Sequence, residues 1–198
     1  MRFSSGAPCK ALAVPFLFAL VLAPAVARAS DDGIPLQEVL HHVSFGYLAH
    51  DVSGLWSGFR TEAASTAENF DAVFAPHVDL LGGSIRPALG GTVTNGRGTR
   101  YGYADARFEI SGPLRTFFGI GLGLAVHDGS LQAEQTASEH RNKALGSRAL
   151  FHVPLEIGVA PTRSIRVSAY FEHVSNGWLG TSVNEGMDNL GLRIGYAF

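Results

Sequence analysis

From Val43 onward, apolar and polar residues alternate with a period of two, the signature of strands with one apolar face. Val43, Phe45, Tyr47 and Ala49 alternate with Ser44, Gly46, Leu48 and His50. A second strand is expected around residues 69–78, where Pro76 interrupts the ladder. A third carries Ile85, Pro87, Leu89 and Val93 opposite Ser84, Arg86 and Thr92. Asn95-Gly96-Arg97-Gly98 connects it tightly to a fourth, in which Ala104, Ala106, Phe108 and Ile110 oppose Asp105, Arg107 and Glu109. In a fifth, Phe118, Ile120, Leu122, Leu124 and Val126 alternate with Gly119, Gly121, Gly123, Ala125 and His127. The sixth sets Phe151, Val153, Leu155, Ile157 and Val159 against Arg148, His152 and Glu156. In the seventh, Ile165, Val167, Ala169, Phe171, His173 and Ser175 share a face, with Arg166, Ser168, Tyr170 and Glu172 on the other. The eighth aligns Leu190, Leu192, Ile194, Tyr196 and Phe198, and Asp188 lies on the continuation of that face.

About eight strands, joined alternately by long and short connections, predict an all-β fold: an eight-stranded antiparallel transmembrane β-barrel of the outer-membrane type. The connections at 51–68, 128–146 and 177–187 are long, and only the short one after the third strand breaks the pattern. The rival architecture is a soluble β-sandwich or lipocalin-like barrel, whose apolar faces point inward. The polar face decides for the membrane: Arg86, Asp105, Arg107, Glu109, Arg148, Glu156, Arg166, Glu172 and Arg193 can pair within a polar lumen. Small residues opposite the apolar row of the fifth strand suit a narrow, filled barrel.

Residues 1–29 read as a secretory signal peptide and 30–198 as a single barrel domain. Arg2 and Lys10 precede an apolar run from Ala11 to Val26, and Ala27-Arg28-Ala29 is a small-x-small cleavage site. Cys9 is the single cysteine, so a processed chain has neither a thiol nor a disulfide. Removing Arg2, Lys10 and Arg28 from the 15 basic residues leaves 12 against 17 acidic ones, a formal net charge of −5 that gives no support to nucleic-acid binding. No histidine spacing suggests a metal site, and no cofactor is expected.

The chemistry gathers on the last strand pair. His173 and Ser175 lie on an apolar row near the end of a strand, where an ionisable side chain facing lipid is costly unless paired. A His can take the proton of a Ser, a carboxylate can orient the imidazole, and the Asn176 amide can donate to an oxyanion. The bland alternative makes His173 and Ser175 ordinary interface residues, with Asn176-Gly177 opening a loop.

His173-Val-Ser175-Asn176-Gly177, followed by Asn184-Glu185-Gly186-Met187-Asp188-Asn189 and the aromatic-ended Leu-Gly-Leu-Arg-Ile-Gly-Tyr-Ala-Phe198, resembles the lipid A 3-O-deacylases of the PagL type. Gly-Leu-Ala-Val-His127-Asp128-Gly129 and Gly146-Ser-Arg-Ala-Leu-Phe are similar too. The resemblance implies an outer-membrane esterase that removes the acyl chain at the 3 position of lipid A, acting near the external leaflet on lipopolysaccharide without a cofactor. It makes His173 the general base, Ser175 the nucleophile and Asn176 an oxyanion contributor. The best-known form of the family has Glu as the third member, where this chain offers Glu185 or Asp188. The Gly-hydrophobic-acid order and the parity with Leu190 both select Asp188, whereas a bulge at Gly186 would favour Glu185. Alternative functions are a non-catalytic small barrel with structural or adhesive loops, and an outer-membrane phospholipase. A homodimer is allowed.

Overall fold

The computed structural model describes residues 33–62, 64–96, 98–132, 143–177 and 183–198. The expected signal peptide lies outside them. One helical turn, α1 (Leu36–Val39), leads into strands β1 (Leu40–Ala49), β2 (Thr66–Phe74), β3 (Val78–Leu80), β4 (Gly83–Thr94), β5 (Tyr101–Ser111), β6 (Thr116–His127), β7 (Ala149–Val159), β8 (Ile165–Ser175) and β9 (Met187–Ala197). All pairings are antiparallel, in the order β2-β1-β9-β8-β7-β6-β5-β4-β3, and pairing of β2 with β4 closes the ring. The barrel is therefore built from eight long strands. The three-residue β3 comes after a break at Pro76, which has no N–H for a ladder, and it rejoins the sheet by pairing with β4 alone. The single second strand expected over 69–78 is thus divided in two.

The faces invert the arrangement of a soluble barrel. Leu122, Leu124, Val126, Ile157, Leu192 and Ile194 are each more than half exposed and form part of an apolar outer wall. Asn69, Asp71, Asp105, Arg107, His152, Glu172 and Arg193 are buried inside. An apolar band of this extent is unstable in water and matches hydrocarbon, which rules out the lipocalin-like alternative.

The lumen is packed with paired charge. Arg107 bridges Asp105 at 2.8 Å and Asp71 at 3.3 Å, and Arg193 bridges Asp71 at 2.7 Å. Glycines on β6 make room for this network: a Cβ on Gly121 would lie 2.6 Å from Arg107 Cδ, and one on Gly123 would overlap the Asp105 carboxylate. Arg148, expected in the lumen, instead lies exposed just before β7, where it donates to the carbonyls of His127 and Gly129. The turn between β3 and β4 and those after β5 and β7 are short, and β1 starts and β9 finishes at that same end of the barrel, where His42 pairs with Ala197. The long connections gather at the opposite end.

Candidate active site

At the long-loop end, β8 presents Phe171, His173 and Ser175 outward, while Tyr170, Glu172 and Val174 point inward. The register with β9 is unbroken from Val174↔Met187 to Ile165↔Tyr196 and sets His173 directly opposite Asp188. Gly186, with φ +54, turns the chain into β9 just before this ladder, so no bulge disturbs the parity of Asp188 within it.

Three side chains expected from the sequence meet here. His173 Nδ1 lies 2.6 Å from Asp188 Oδ1, and His173 Nε2 lies 3.0 Å from Ser175 Oγ. An ionised carboxylate only accepts, so Nδ1 carries the proton and Nε2 turns its lone pair toward the Ser175 hydroxyl. The Asp188 side chain is completely shielded from solvent, whereas the imidazole keeps 14% exposure. An unscreened charge thus stands behind the ring, and the open edge of the site faces outward.

Glu185, the other acid, is directed elsewhere. One of its oxygens accepts from Arg60 at 2.7 Å and the other from the Ala144 N–H at 2.7 Å. Asn176 is buried, and its side-chain amide donates to the carbonyls of Leu145 at 2.9 Å and Val183 at 2.7 Å. Its own N–H donates to Asn184 Oδ1 at 3.1 Å. Asn176 therefore ties the segment after Ser175 to the β6–β7 connection and to the far side of its own connection.

The connection between β1 and β2 contributes residues that the period-two pattern leaves as part of a polar loop. Ser57 donates to Asp188 Oδ2 from its backbone N–H at 2.7 Å and from its hydroxyl at 2.8 Å. Trp56 packs edge-on against His173 and Phe171, with ring centroids 5.4 and 5.2 Å apart. The signal in the sequence is Gly54-Leu-Trp-Ser-Gly58, a tight turn bracketed by glycines, next to a strand that barrel closure places beside the last one.

Deeper in the same connection, Glu62 accepts from His50 at 3.0 Å, from the Thr99 N–H at 2.6 Å and from the Thr99 hydroxyl at 2.7 Å. Burial pushes its carboxyl up, but these donors outweigh burial and hold it below its usual range. Burial raises the Asp51 carboxyl against the opposing pull of Lys143, whose Nζ lies 2.7 Å away and also donates to the Gly186 carbonyl at 2.8 Å. Two long connections are thereby clamped to the turn at Gly186 that leads into β9 and Asp188.

Against known proteins, residues 84–197 match the family described as lipid A 3-O-deacylase (PagL). The crystal structure of the outer membrane enzyme PagL aligns with a TM-score of 0.57 at 18% identity, covering 79% of this chain and 99% of that one. The crystal structure of Neisserial surface protein A (NspA) aligns with a TM-score of 0.47 at 10% identity, covering 79% and 96% of the two chains. No curated protein sequence matches. The homodimer that the sequence allows finds no support in these similarities.

Proposed function

The chain belongs to the lipid A 3-O-deacylase (PagL) family, ester hydrolases of the outer membrane, and from that premise we propose that Ser175, His173 and Asp188 carry its deacylation. The observation that supports this most is the continuous chain from Ser175 Oγ through His173 to Asp188, at 3.0 and 2.6 Å, on the outward face.

Ser175 Oγ attacks the ester carbonyl at the 3 position of lipid A as its proton passes to His173 Nε2. The Asp188 carboxylate stabilises the imidazolium that forms. Collapse of the tetrahedral intermediate breaks the ester C–O bond. The departing sugar hydroxyl takes the proton back from His173, leaving the acyl group on Ser175. Water, deprotonated by His173, then attacks this second ester, releases the fatty acid and restores the serine. The Asn176 side-chain amide, expected as an oxyanion donor, is engaged by the carbonyls of Leu145 and Val183, so in this reading Asn176 acts by holding the Ser175-Asn176-Gly177 segment rather than by donating to the oxyanion itself. Its two amide bonds to Leu145 and Val183 fix the backbone that borders the reacting carbonyl.

An outward site suits a substrate that is itself a component of the bilayer. With an even number of long strands, and with β1 starting and β9 finishing at the short-turn end, the periplasm lies on that side. The site then sits near the external leaflet, where lipopolysaccharide resides, and the acyl chain arrives laterally without a channel. Residues 1–29 serve as the export signal in this reading.

Mass spectrometry of lipid A and phospholipids from cells with and without the protein tests the assignment. Loss of one ester-linked acyl chain from lipid A is the expected change. Unaltered lipid A accompanied by lysophospholipids would make the protein a phospholipase instead.

A further inference from the structure

Ser57 lies outside the strands, in a turn that reaches over the outer face of the β8–β9 pair. The turn is tight: the Gly54 N–H donates to the Gly58 carbonyl at 2.6 Å, and the two glycines take φ of +80 and +84. Its approach is fixed from the strand side as well. The Val52 N–H donates to the Asp188 carbonyl at 2.8 Å, and the Asp51 N–H donates to Asn189 Oδ1 at 3.0 Å. So held, Ser57 directs two donors at one oxygen, Asp188 Oδ2, and leaves Oδ1 to His173.

A carboxylate on a short side chain rotates easily about its last torsion, which has a broad two-fold profile. Three donors on two oxygens remove that freedom and define the plane in which Oδ1 meets the imidazole. Trp56, from the same turn, packs against the flank of that imidazole. One turn therefore braces both the acid and the base.

We propose that Ser57 is a positioning residue for deacylation, which locks the Asp188 carboxylate so that Oδ1 holds His173 with Nε2 aimed at Ser175. The inference rests on the Ser175, His173 and Asp188 reading above. It adds a requirement from the β1–β2 connection, which lies before the 84–197 segment that matches the family. Because Ser57 touches Asp188 rather than substrate, its loss slows turnover and leaves substrate binding nearly intact.

The test compares Ser57→Ala, Ser57→Thr, Asp188→Asn and the double variant Ser57→Ala/Asp188→Asn, as full-length protein purified in detergent and acting on lipid A. Heat-modifiable gel migration confirms that each barrel is folded. Ser57→Ala is expected to lower kcat about tenfold or more with little change in KM, since a hydrogen bond to a charged group is lost. Ser57→Thr, which keeps the hydroxyl, restores most of that turnover. In the Asp188→Asn background, Ser57→Ala causes no further loss, because Ser57 acts through the carboxylate. A Ser57→Ala effect confined to KM, or equal in both backgrounds, or not rescued by threonine, overturns the inference and leaves the triad standing. Full activity in Asp188→Asn overturns the triad reading itself, and Ser57's role with it.

Discussion

Glu172 sits directly behind the site, on the lumenal side of the strand that carries His173, and its replacement by alanine should destabilise the barrel more than any change on the outer wall. Its carboxylate accepts from Tyr101 at 2.6 Å, Thr92 at 2.8 Å, Asn189 at 2.9 Å, His152 at 3.0 Å and Tyr170 at 3.1 Å. Glu172 and Asn189 are also register partners, one step along the ladder from His173 and Asp188. Truncation leaves this ring of donors facing a hole, with His152 still hydrogen-bonded to Asp105 and stacked on Tyr103 but without its partner on the other ring nitrogen. Breaking a buried, hydrogen-bonded ion pair by removing one partner costs about 3–5 kcal/mol. With a denaturant slope of about 2 kcal/mol per molar urea, the unfolding midpoint falls by roughly 2 M. Glu172→Gln, which keeps the shape and one acceptor oxygen, should lose less. Urea titration in detergent, followed by heat-modifiable migration and tryptophan fluorescence, measures both. A Glu172→Ala midpoint equal to that of the unaltered protein would show that the lumenal network does not hold the β8–β9 register.

Asp188→Asn should lower deacylation by orders of magnitude, because the charge behind the imidazolium is lost, while Glu185→Gln keeps most of the activity; the reverse ranking in assays on purified protein would transfer the role to Glu185. Gly186→Ala should cost about 1–2 kcal/mol for its left-handed backbone. Its added Cβ, 3.3 Å from His173 Cε1, should also reduce turnover, measurable as a fall in kcat at an ordinary yield of folded barrel. The depressed Glu62 carboxyl contributes stability that is complete above its unfolded value of about 4.5 and is lost as pH falls through the lower folded value. Limited proteolysis of the long connections should therefore accelerate below about pH 4.5, and Glu62→Gln should flatten that dependence.

The strands and the site differ in how far they can be read from residues. Period-two alternation identifies the outward rows on β1, β6, β8 and β9, and with them the shared face of His173, Ser175 and Asp188, because a strand's two faces follow from parity alone. The division of the second strand lies beyond parity: Pro76 signals a break but not whether the chain rejoins the sheet as β3. Inside the barrel, the charged residues of the lumen are visible as a set, while their partners depend on closure across strands distant in sequence. Arg193 meets Asp71 from β2, for example, and Arg148 stays outside. Ser57 and Trp56 are hidden for the same reason. A residue in a connection has no periodicity to report its direction, and its contact with Asp188 spans 131 positions of sequence.

An outward-facing Ser175, activated by His173, should hydrolyse the 3-linked ester of lipid A in the absence of any other protein. The decisive quantity is fatty acid released from purified lipid A by the full-length protein in detergent, set beside Ser175→Ala and His173→Ala barrels shown to be folded by heat-modifiable migration. The unaltered protein is expected to release the 3-linked acyl chain and neither variant to release any above background, with folding unchanged because neither side chain enters the lumenal network. Release by a folded Ser175→Ala barrel at the rate of the unaltered protein would contradict the serine mechanism.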